Sequence, residues 1–278
     1  MKFRFPIVII DEDYRSENTS GLGIRALADA IVENAPDAPA PAPGGDGPEA
    51  QLVEALEGGF EQLIAGYNTG GISGGVGSTI QNNQVGYWPY SYYVYEQAYD
   101  ANGNALEGVY VDRNDDGIIN EQDKYRFHKP QADVFYGFNT DLTVGNWWLS
   151  MSFRGSYGNY NYNNVYSNTG NYATGLPTNG NYLNNMHSNA LTTDFKNPQY
   201  MSDYYVQEAS FLRMDNITAG YTFRNVFSEG SSLQLTGAVQ NVFVITGYNG
   251  IDPEISGGID NNFYPRPRIY TLGLNVNF

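Results

Sequence analysis

The amino-acid sequence predicts a mainly β protein whose antiparallel strands have two unlike faces. The 278-residue chain is rich in Tyr (24) and Gly (32), which is typical of strands and turns rather than of a helical bundle. From about residue 67 to residue 278, apolar and polar residues alternate with a period of two, as in a strand with one face against apolar surroundings. The connections between these strands are alternately short and long.

Residues 1–34 are predicted to form a short α/β stub. Residues 5–10 are an apolar run of mostly β-forming residues, typical of a buried parallel strand. Apolar residues then recur at helical spacing between Leu22 and Ile31. We expect no secretory signal peptide here, because the apolar stretch is short and runs into acidic residues.

Residues 35–66 have a different composition and are predicted to be a linker. The stretch PDAPAPAPGGDGPE is rich in Pro, Ala and Gly and is acidic, which favours an extended or disordered chain. A brief helical pattern follows between Leu52 and Leu63.

Residues 67–278 contain about five long strand patterns and a partial one near residues 71–84. The last is the clearest, since Tyr270, Leu272, Leu274, Val276 and Phe278 alternate with Thr271, Gly273, Asn275 and Asn277. The same division places Trp147 on the apolar face and its neighbour Trp148 on the polar one.

The arrangement of turns favours part of an outer-membrane β-barrel over a soluble β-sandwich. Tight connections near residues 144–146 and 225–232 alternate with long ones near residues 155–210 and 246–268. Short turns at one end and long loops at the other are typical of such barrels. A sandwich also alternates, but its second face meets solvent and usually carries more charge. The sequence therefore predicts an incomplete barrel of about five to six spanning strands with long extracellular loops.

Charge and composition exclude several classes of function. The formal net charge is −16, so a nucleic-acid partner is not expected, because phosphate contacts need a basic surface. Cys is absent and only two His are present, which excludes disulfides and thiolate sites and argues against a structural zinc site.

The stretch VDRNDDGIINEQDKY, residues 111–125, matches a calcium-binding loop. Its oxygen-bearing positions are Asp112, Asn114, Asp116, Asn120 and Asp123, with the backbone carbonyl of Ile118 at position 7. Gly117 occupies position 6, where the chain turns sharply, and we expect Ile119 to point inward. Asp at position 12, in place of Glu, predicts weaker binding of Ca²⁺. The alternative is an acidic turn that folds without metal.

We expect no enzyme activity. Residues 71–75, GISGG, resemble a nucleophile elbow, but that motif requires a strand before it and a helix after it, and VGSTIQNN is not helical. The carboxylates of Asp252, Glu254 and Asp260 lie in a turn-rich segment, and we interpret them as turn formers or ligand contacts. Exposed aromatic residues could stack on sugars, pack the loops together or contact a lid protein: Trp88, Tyr160, Tyr162, Tyr166 and Tyr172.

Several stretches together give a specific resemblance. They are NTGGISGGVGSTIQ, VGYWPYSYYVYEQAYD, YVDRNDDGIINEQDKYRFHKPQADVFYGFNTDL, FLRMDNITAGYTF, VQNVFVITGYNGIDPEI and YPRPRIYTLGLNVNF. Residues 68–278 resemble the C-terminal barrel part of the SusC/RagA-type TonB-dependent outer-membrane transporters. The resemblance implies an outer-membrane location, import of oligosaccharides or peptides, a SusD-like surface lipoprotein as partner and energy from the TonB system. The plug, the TonB box and most of the barrel have no counterpart here, so we expect no transport by this chain alone.

A weaker resemblance covers residues 3–31, FRFPIVIIDEDYRSENTSGLGIRALADAI, which are similar to the start of the N-terminal receiver-like domain of the bacterial ornithine/lysine/arginine decarboxylases. That domain is not catalytic in the family, and no cofactor-lysine region follows. Two unrelated pieces joined by a linker suggest a chimera, a misassembled reading frame or an artificial chain. The alternative for the β-rich part is a soluble, calcium-stabilised β module that binds glycan or protein.

Overall fold

The computed structural model describes residues 7–8, 66–75, 77–176 and 182–278. The strands are, in chain order, β1 (Ile7–Val8), β2 (Tyr67–Gly71), β3 (Thr79–Asn83), β4 (Ser91–Val94), β5 (Gln97–Tyr99), β6 (Ala105–Tyr110), β7 (Tyr125–Phe127), β8 (Val134–Val144), β9 (Trp147–Tyr157), β10 (Tyr160–Asn163), β11 (Val206–Glu208), β12 (Phe211–Arg224), β13 (Ser232–Thr246), β14 (Ile259–Asp260) and β15 (Ile269–Asn277). Three short α-helices are α1 (Asn164–Thr169), α2 (Tyr172–Gly175) and α3 (Ala190–Thr193), and 3-10 turns cover Glu121–Asp123, Asp203–Tyr205 and Ser256–Gly258.

The long strands form one antiparallel sheet, which we call the wall. Its order is β1-β8-β9-β12-β13-β15, and every neighbouring pair is antiparallel. Strands β8 and β9 are joined by the two-residue turn Gly145–Asn146, where Gly145 has a φ of 62°. A left-handed φ is the conformation that glycine adopts without strain. The mainly β, antiparallel fold predicted from the sequence is confirmed.

The register of the wall places residues of one kind on each face. One row crosses five strands through Leu142, Leu149, Ala219, Gly237 and Leu272. The next row, on the opposite face, runs through Asp141, Ser150, Thr218, Ala238 and Thr271. We call the two sides the apolar face and the polar face.

The apolar face is open to its surroundings. The side chains of Trp147, Tyr270, Leu272 and Leu274 are 63%, 71%, 92% and 64% exposed. In a water-soluble domain such a surface would be covered, because large contiguous apolar patches are unfavourable in water. The wall therefore has the surface of a sheet that lies against an apolar medium or another molecule.

The connections at one end of the wall fold into a second body, which we call the cap. It consists of the described parts of residues 66–133, 158–210 and 247–268, and it contains the sheets β2-β3-β4-β7, β5-β6 and β11-β10-β14. Its core is formed by buried residues of the first two segments: Ile72, Ile80, Tyr92, Val94, Tyr162, Tyr205 and Val206. The long connections predicted as loops are thus a folded unit with a buried core.

Two expectations about individual strands are wrong. The pattern near residues 71–84 does not join the wall, because β2 and β3 pair with each other in the cap. Strand β1 pairs antiparallel with β8 at the edge of the wall, whereas the sequence suggested a parallel strand.

The predicted helix at residues 22–31, most of the linker and most of the decarboxylase-like stretch lie outside the described residues. Among the described residues, no helix is long and apolar enough to cross a membrane.

Trp148 is a large residue on the polar face, and a glycine on the neighbouring strand makes room for it. Gly220 pairs directly with Trp148. A Cβ atom added at Gly220 would lie 2.3 Å from the indole Nε1. The absence of a side chain at Gly220 is what lets the indole lie this close to β12.

We predict that Gly220→Ala destabilises the wall by about 1–3 kcal/mol, because the new methyl group forces the Trp148 indole out of its position. Gly273→Ala is the matched control. Gly273 lies in the same cross-strand row, but a Cβ there would meet Thr236 at an ordinary 3.6 Å. The free energy of unfolding, measured by urea titration of both variants in detergent, tests this. Equal effects of the two changes would contradict the prediction.

Candidate functional site

A network of charged residues joins the wall to the cap. Arg213 on β12 donates from Nη2 to Oδ1 of Asp252 at 2.7 Å and from Nη1 to Oδ1 of Asn241 at 2.8 Å. Only 3% of the Arg213 side chain is exposed. A buried guanidinium requires such partners, because an unpaired charge away from water is very costly.

Two more arginines complete the network. Arg154 on β9 donates from Nε to Asp215 at 2.7 Å and from Nη2 to Glu254 at 2.9 Å. Arg266 contacts Asp252 at 3.1 Å and Glu254 at 2.8 Å. Three arginines thus face three carboxylates, and the network is neutral overall.

The electrostatics of the network favour ionised carboxylates. Partial burial alone would raise the pKa of Glu254, but the guanidinium groups of Arg154, Arg266 and Arg213 outweigh it, so the pKa lies below its usual value. Glu254 therefore stays charged, and its ion pairs persist, over the neutral and mildly acidic range.

A bulge in β12 lets two of its side chains reach the charged network. Between Met214 and Asn216 the register with β9 shifts, because Asp215 is an extra residue on β12. Asn241 on β13, opposite this shift, has a φ of 51°. Bulges bend a strand and redirect its side chains, and here Arg213 and Asp215 both reach the network.

The segment carrying Asp252 and Glu254 is hydrogen-bonded to several parts of the cap. Its carbonyl oxygens accept hydrogen bonds from Asn161 Nδ2 at Pro253 (2.7 Å) and from Gln81 Nε2 at Gly257 (2.8 Å). The Tyr92 hydroxyl lies 2.7 Å from the carbonyl oxygen of Gly258, and burial raises the pKa of that hydroxyl. Side chains from distant parts of the chain therefore fix this segment.

A cavity of about 920 Å³ lies beside the network. Its lining combines charged groups with apolar ones, and the latter include Phe135, Pro253 and Ile255. The charges of Arg154 and Glu254, which line it as well, are satisfied by each other and by Asp215. The cavity wall is therefore partly apolar, and the charged groups in it are already paired with one another.

The predicted calcium loop connects β6 to β7, so it is flanked by strands as expected. Asp112 Oδ2 accepts a hydrogen bond from the Gly117 N–H at 2.7 Å, and Asp116 Oδ1 accepts one from the Ile118 N–H at 2.8 Å. Asn114 Oδ1 accepts from the Asp116 N–H at 3.1 Å. These bonds wrap the loop around the side-chain oxygens at its ligand positions.

The end of the loop is anchored by Asp123, which is fully buried. Its carboxylate accepts hydrogen bonds from the N–H groups of Asn120 (2.8 Å) and Arg113 (2.9 Å). These bonds, that of Asn120 first, hold its pKa below the usual value.

Oδ1 of Asp112 is buried and has no hydrogen-bond partner. A cation is a suitable partner for such an oxygen. In the described part of the chain no three acidic or His side chains converge closely enough to hold a metal by themselves, so a cation would also need the amide and backbone oxygens of Asn114, Asn120 and Ile118.

Three sequence expectations about side chains receive a structural answer. Ile119 does not point inward, since it is 43% exposed. Tyr162 is fully buried rather than exposed, and Tyr160 and Tyr166 pack against the same core. Trp88 is exposed, with the Lys129 ammonium 3.4 Å from its ring centroid. Packing of the loops, one of the three alternatives, accounts for Tyr160, Tyr162 and Tyr166.

The motifs that resembled catalytic sites lie in a turn between strands or are paired with other side chains. Ser73 lies between β2 and β3, a strand–turn–strand setting that does not match a nucleophile elbow. Asp260 accepts a hydrogen bond from the Tyr248 hydroxyl at 2.8 Å, while Asp252 and Glu254 are bound to arginines. No local pattern in the sequence indicates that network, because its members are spread over more than a hundred residues.

Comparisons with known proteins support the resemblance seen in the sequence. The chain is 41% identical over 212 residues to the TonB-dependent receptor SusC of Bacteroides thetaiotaomicron, which covers 74% of this chain and 21% of that protein. It is 28% identical over 189 residues to the TonB-dependent receptor P3 of Formosa agariphila, covering 61% and 19%. No family model matches the sequence.

Solved structures show the same fold. The RagAB peptide transporter aligns with a TM-score of 0.54 and 22% identity, over 73% of this chain and 24% of that chain. The RagAB peptide importer in its open-open state aligns with a TM-score of 0.55. This chain spans about a fifth of the length of the curated relatives that it matches.

We predict that Arg213→Met lowers the free energy of unfolding by about 3–5 kcal/mol, because it removes the buried partner of Asp252. Arg266→Met is the matched control, since Arg266 contacts the same carboxylate but has 43% of its side chain exposed; exposed ion pairs contribute less than about 1 kcal/mol. Urea titration in detergent measures both. A loss for Arg266→Met as large as for Arg213→Met would contradict the role assigned to burial.

Proposed function

Because the β-rich part of this chain is similar to the SusC/RagA-type TonB-dependent receptors, we propose that residues 67–278 are the C-terminal wall segment of an outer-membrane importer. The observation that carries the proposal is the register of the wall, which gives five long strands one continuous apolar face. That face would lie against the outer-membrane lipid, and the polar face would line the passage. The cap would then be on the extracellular side, where barrels have their long loops.

The cargo proposed is an oligosaccharide or a peptide. In a full-length importer a SusD-like surface lipoprotein would cover the cap, and the TonB system would supply energy. This segment alone would not transport, because the wall is an open sheet and the unpaired backbone groups at an open edge have no hydrogen-bond partners in lipid.

A second candidate is a soluble, calcium-stabilised β module that binds glycan or protein. The observation in its favour is the cap, which has its own buried core and contains the calcium-type loop. The two candidates differ in the environment of the wall, since only the importer segment places the apolar face in hydrocarbon.

The adjacent residues Trp147 and Trp148 distinguish these candidates, because they lie on opposite faces. We predict that a chain retaining only Trp147, with Trp88 and Trp148 changed to Phe, is strongly quenched by brominated lipids after reconstitution in vesicles. The matched chain retaining only Trp148 should be quenched much less. Steady-state tryptophan fluorescence measures both.

Each other result argues against the importer segment. Equal quenching of Trp147 and Trp148 would show that the two faces do not have different environments. A chain that stays monomeric in detergent-free buffer and does not bind vesicles would favour the soluble module.

We further propose that the loop binds Ca²⁺ through Asp112, Asn114, Asp116, Ile118, Asn120 and Asp123. The buried, unpartnered Oδ1 of Asp112 supports this, as do the hydrogen bonds that already wrap the loop. The ion would be structural: it would hold the β6–β7 connection in one conformation.

We predict that Asp112→Asn weakens Ca²⁺ binding at least about tenfold, because it removes a charged ligand. Asp115→Asn is the control: it lies in the same loop and removes the same charge, but it does not occupy a ligand position. Titration calorimetry with CaCl₂ measures both. If the two variants bind equally, or if the unmodified chain releases no heat, the loop is an acidic turn.

A further inference from the structure

A second cavity, of about 660 Å³, lies in the cap and contains two cations beside two aromatic rings. The cations are Arg126 on β7 and Lys129 just after it, and the rings are those of Tyr87 and Trp88 in the connection between β3 and β4. Trp88 also lines the larger cavity beside the arginine–carboxylate network. We call the second cavity the basic pocket.

Arg126 is held in place by neutral groups only. Its Nη2 donates hydrogen bonds to the side-chain oxygens of Asn82 and Gln84, and its guanidinium carbon lies 3.9 Å from the centre of the Tyr87 ring. Its Nε is buried without a hydrogen-bond partner. Among the described residues no carboxylate forms an ion pair with Arg126, although the whole chain has a net charge of −16. A guanidinium that is fixed but not neutralised is suited to bind a carboxylate, because its planar N–H groups match the two oxygens.

Lys129, the second cation of the pocket, is already paired. Its Nζ lies 2.6 Å from Oδ1 of Asp133 and 3.4 Å from the centre of the Trp88 ring. Only 13% of its side chain is exposed. Lys129 therefore fixes the position of the indole and adds little net charge to the pocket.

Glu208 is the other carboxylate that lines the pocket. It lies opposite Tyr160 in the pairing of β10 with β11, and its Oε1 accepts a hydrogen bond from the Ser210 hydroxyl at 2.8 Å. It is not within ion-pair distance of Arg126 in the described part of the chain. Arg126 thus keeps a positive charge that no side chain in the pocket neutralises.

The aromatic rings supply the second part of the site. Tyr87 and Trp88 are 55% and 53% exposed, and each has a cation against its ring. Exposed aromatic rings can stack on the apolar face of a sugar ring. A sugar ring with a carboxylate group offers both an apolar face and a negative charge, so it complements a ring that lies beside an arginine.

We propose that the basic pocket binds a sugar that carries a carboxylate, with the carboxylate at Arg126 and the sugar ring against Tyr87 and Trp88. The inference rests on the proposed importer function for the source of the ligand, and it narrows the cargo to acidic oligosaccharides. The quenching of Trp147 and Trp148 tests the importer segment separately, so that either proposal can fail while the other holds.

The binding of trigalacturonate to the full-length chain in detergent tests this proposal. Titration calorimetry is performed without added Ca²⁺, which would itself bind the carboxylates of the sugar. The fully methyl-esterified trisaccharide is the matched probe, because it has the same rings and no charge. We expect the acid to bind at least about tenfold more tightly than the ester, since hydrogen bonds to an ionised group are about twice as strong as neutral ones.

Substitutions assign that preference to one side chain. Arg126→Met should remove it, because the positive charge is lost while much of the side-chain length is kept. Arg126→Lys should retain part of it, because the charge remains without the planar fork. Arg113→Met is the matched control and should leave the preference unchanged: Arg113 also lies over a tyrosine ring, 4.3 Å from the centre of that of Tyr125, but it is paired with Glu96 and does not line the pocket.

Four results would overturn the proposal. The first two concern the unmodified chain, which needs no substitution to fold: equal binding of acid and ester, or no measurable binding of the acid. The third is a loss of preference in Arg113→Met as large as that in Arg126→Met. The fourth is trialanine with a free C-terminus binding as tightly as trigalacturonate, because the pocket would then not select a sugar.

Discussion

The ion pair between Arg213 and Asp252 is the interaction on which the junction of wall and cap depends. A guanidinium with 3% exposure has to be neutralised where it lies, and the carboxylate that does so comes from a connection that could otherwise extend away from the sheet. The bulge at Asp215 brings a second carboxylate toward Arg154. Residues 247–268 therefore run along the wall because the buried Arg213 on β12 needs the Asp252 carboxylate as its partner.

The cap then has to be built around a polar segment, and its composition reflects that. Tyr92 places its ring in the core and its hydroxyl beside the carbonyl oxygens of Tyr160 and Gly258. Gly258 has a φ of 75°, and a Cβ there would lie 2.3 Å from that hydroxyl. Asn161, also fully buried, donates to Pro253. Tyr and Asn are abundant here because each can both fill space and satisfy a buried carbonyl group.

A feature could be predicted from the sequence when it depends on residues close together along the chain. The faces of the wall were predictable, because the strand period is local and a residue such as Leu272 needs only its own neighbours to be assigned. The calcium-type loop is a local pattern for the same reason, and its binding of Ca²⁺ stays a prediction. Tyr162 was misplaced, because its burial comes from contact with Tyr205, more than forty residues away. The network around Arg213 was missed, since pairing across such separations leaves no mark on local spacing.

The edges of the wall set the remaining constraint. In hydrocarbon, an unpaired backbone N–H or C=O group costs several kcal/mol, so a sheet is stable there only if both edges are paired. Strand β15 pairs on one side with β13 and has no second partner among the described residues. Tyr270 and Leu272 on β15 are also among its most exposed apolar side chains. Stable insertion therefore requires another strand beside β15, from a longer form of this chain or from a second copy.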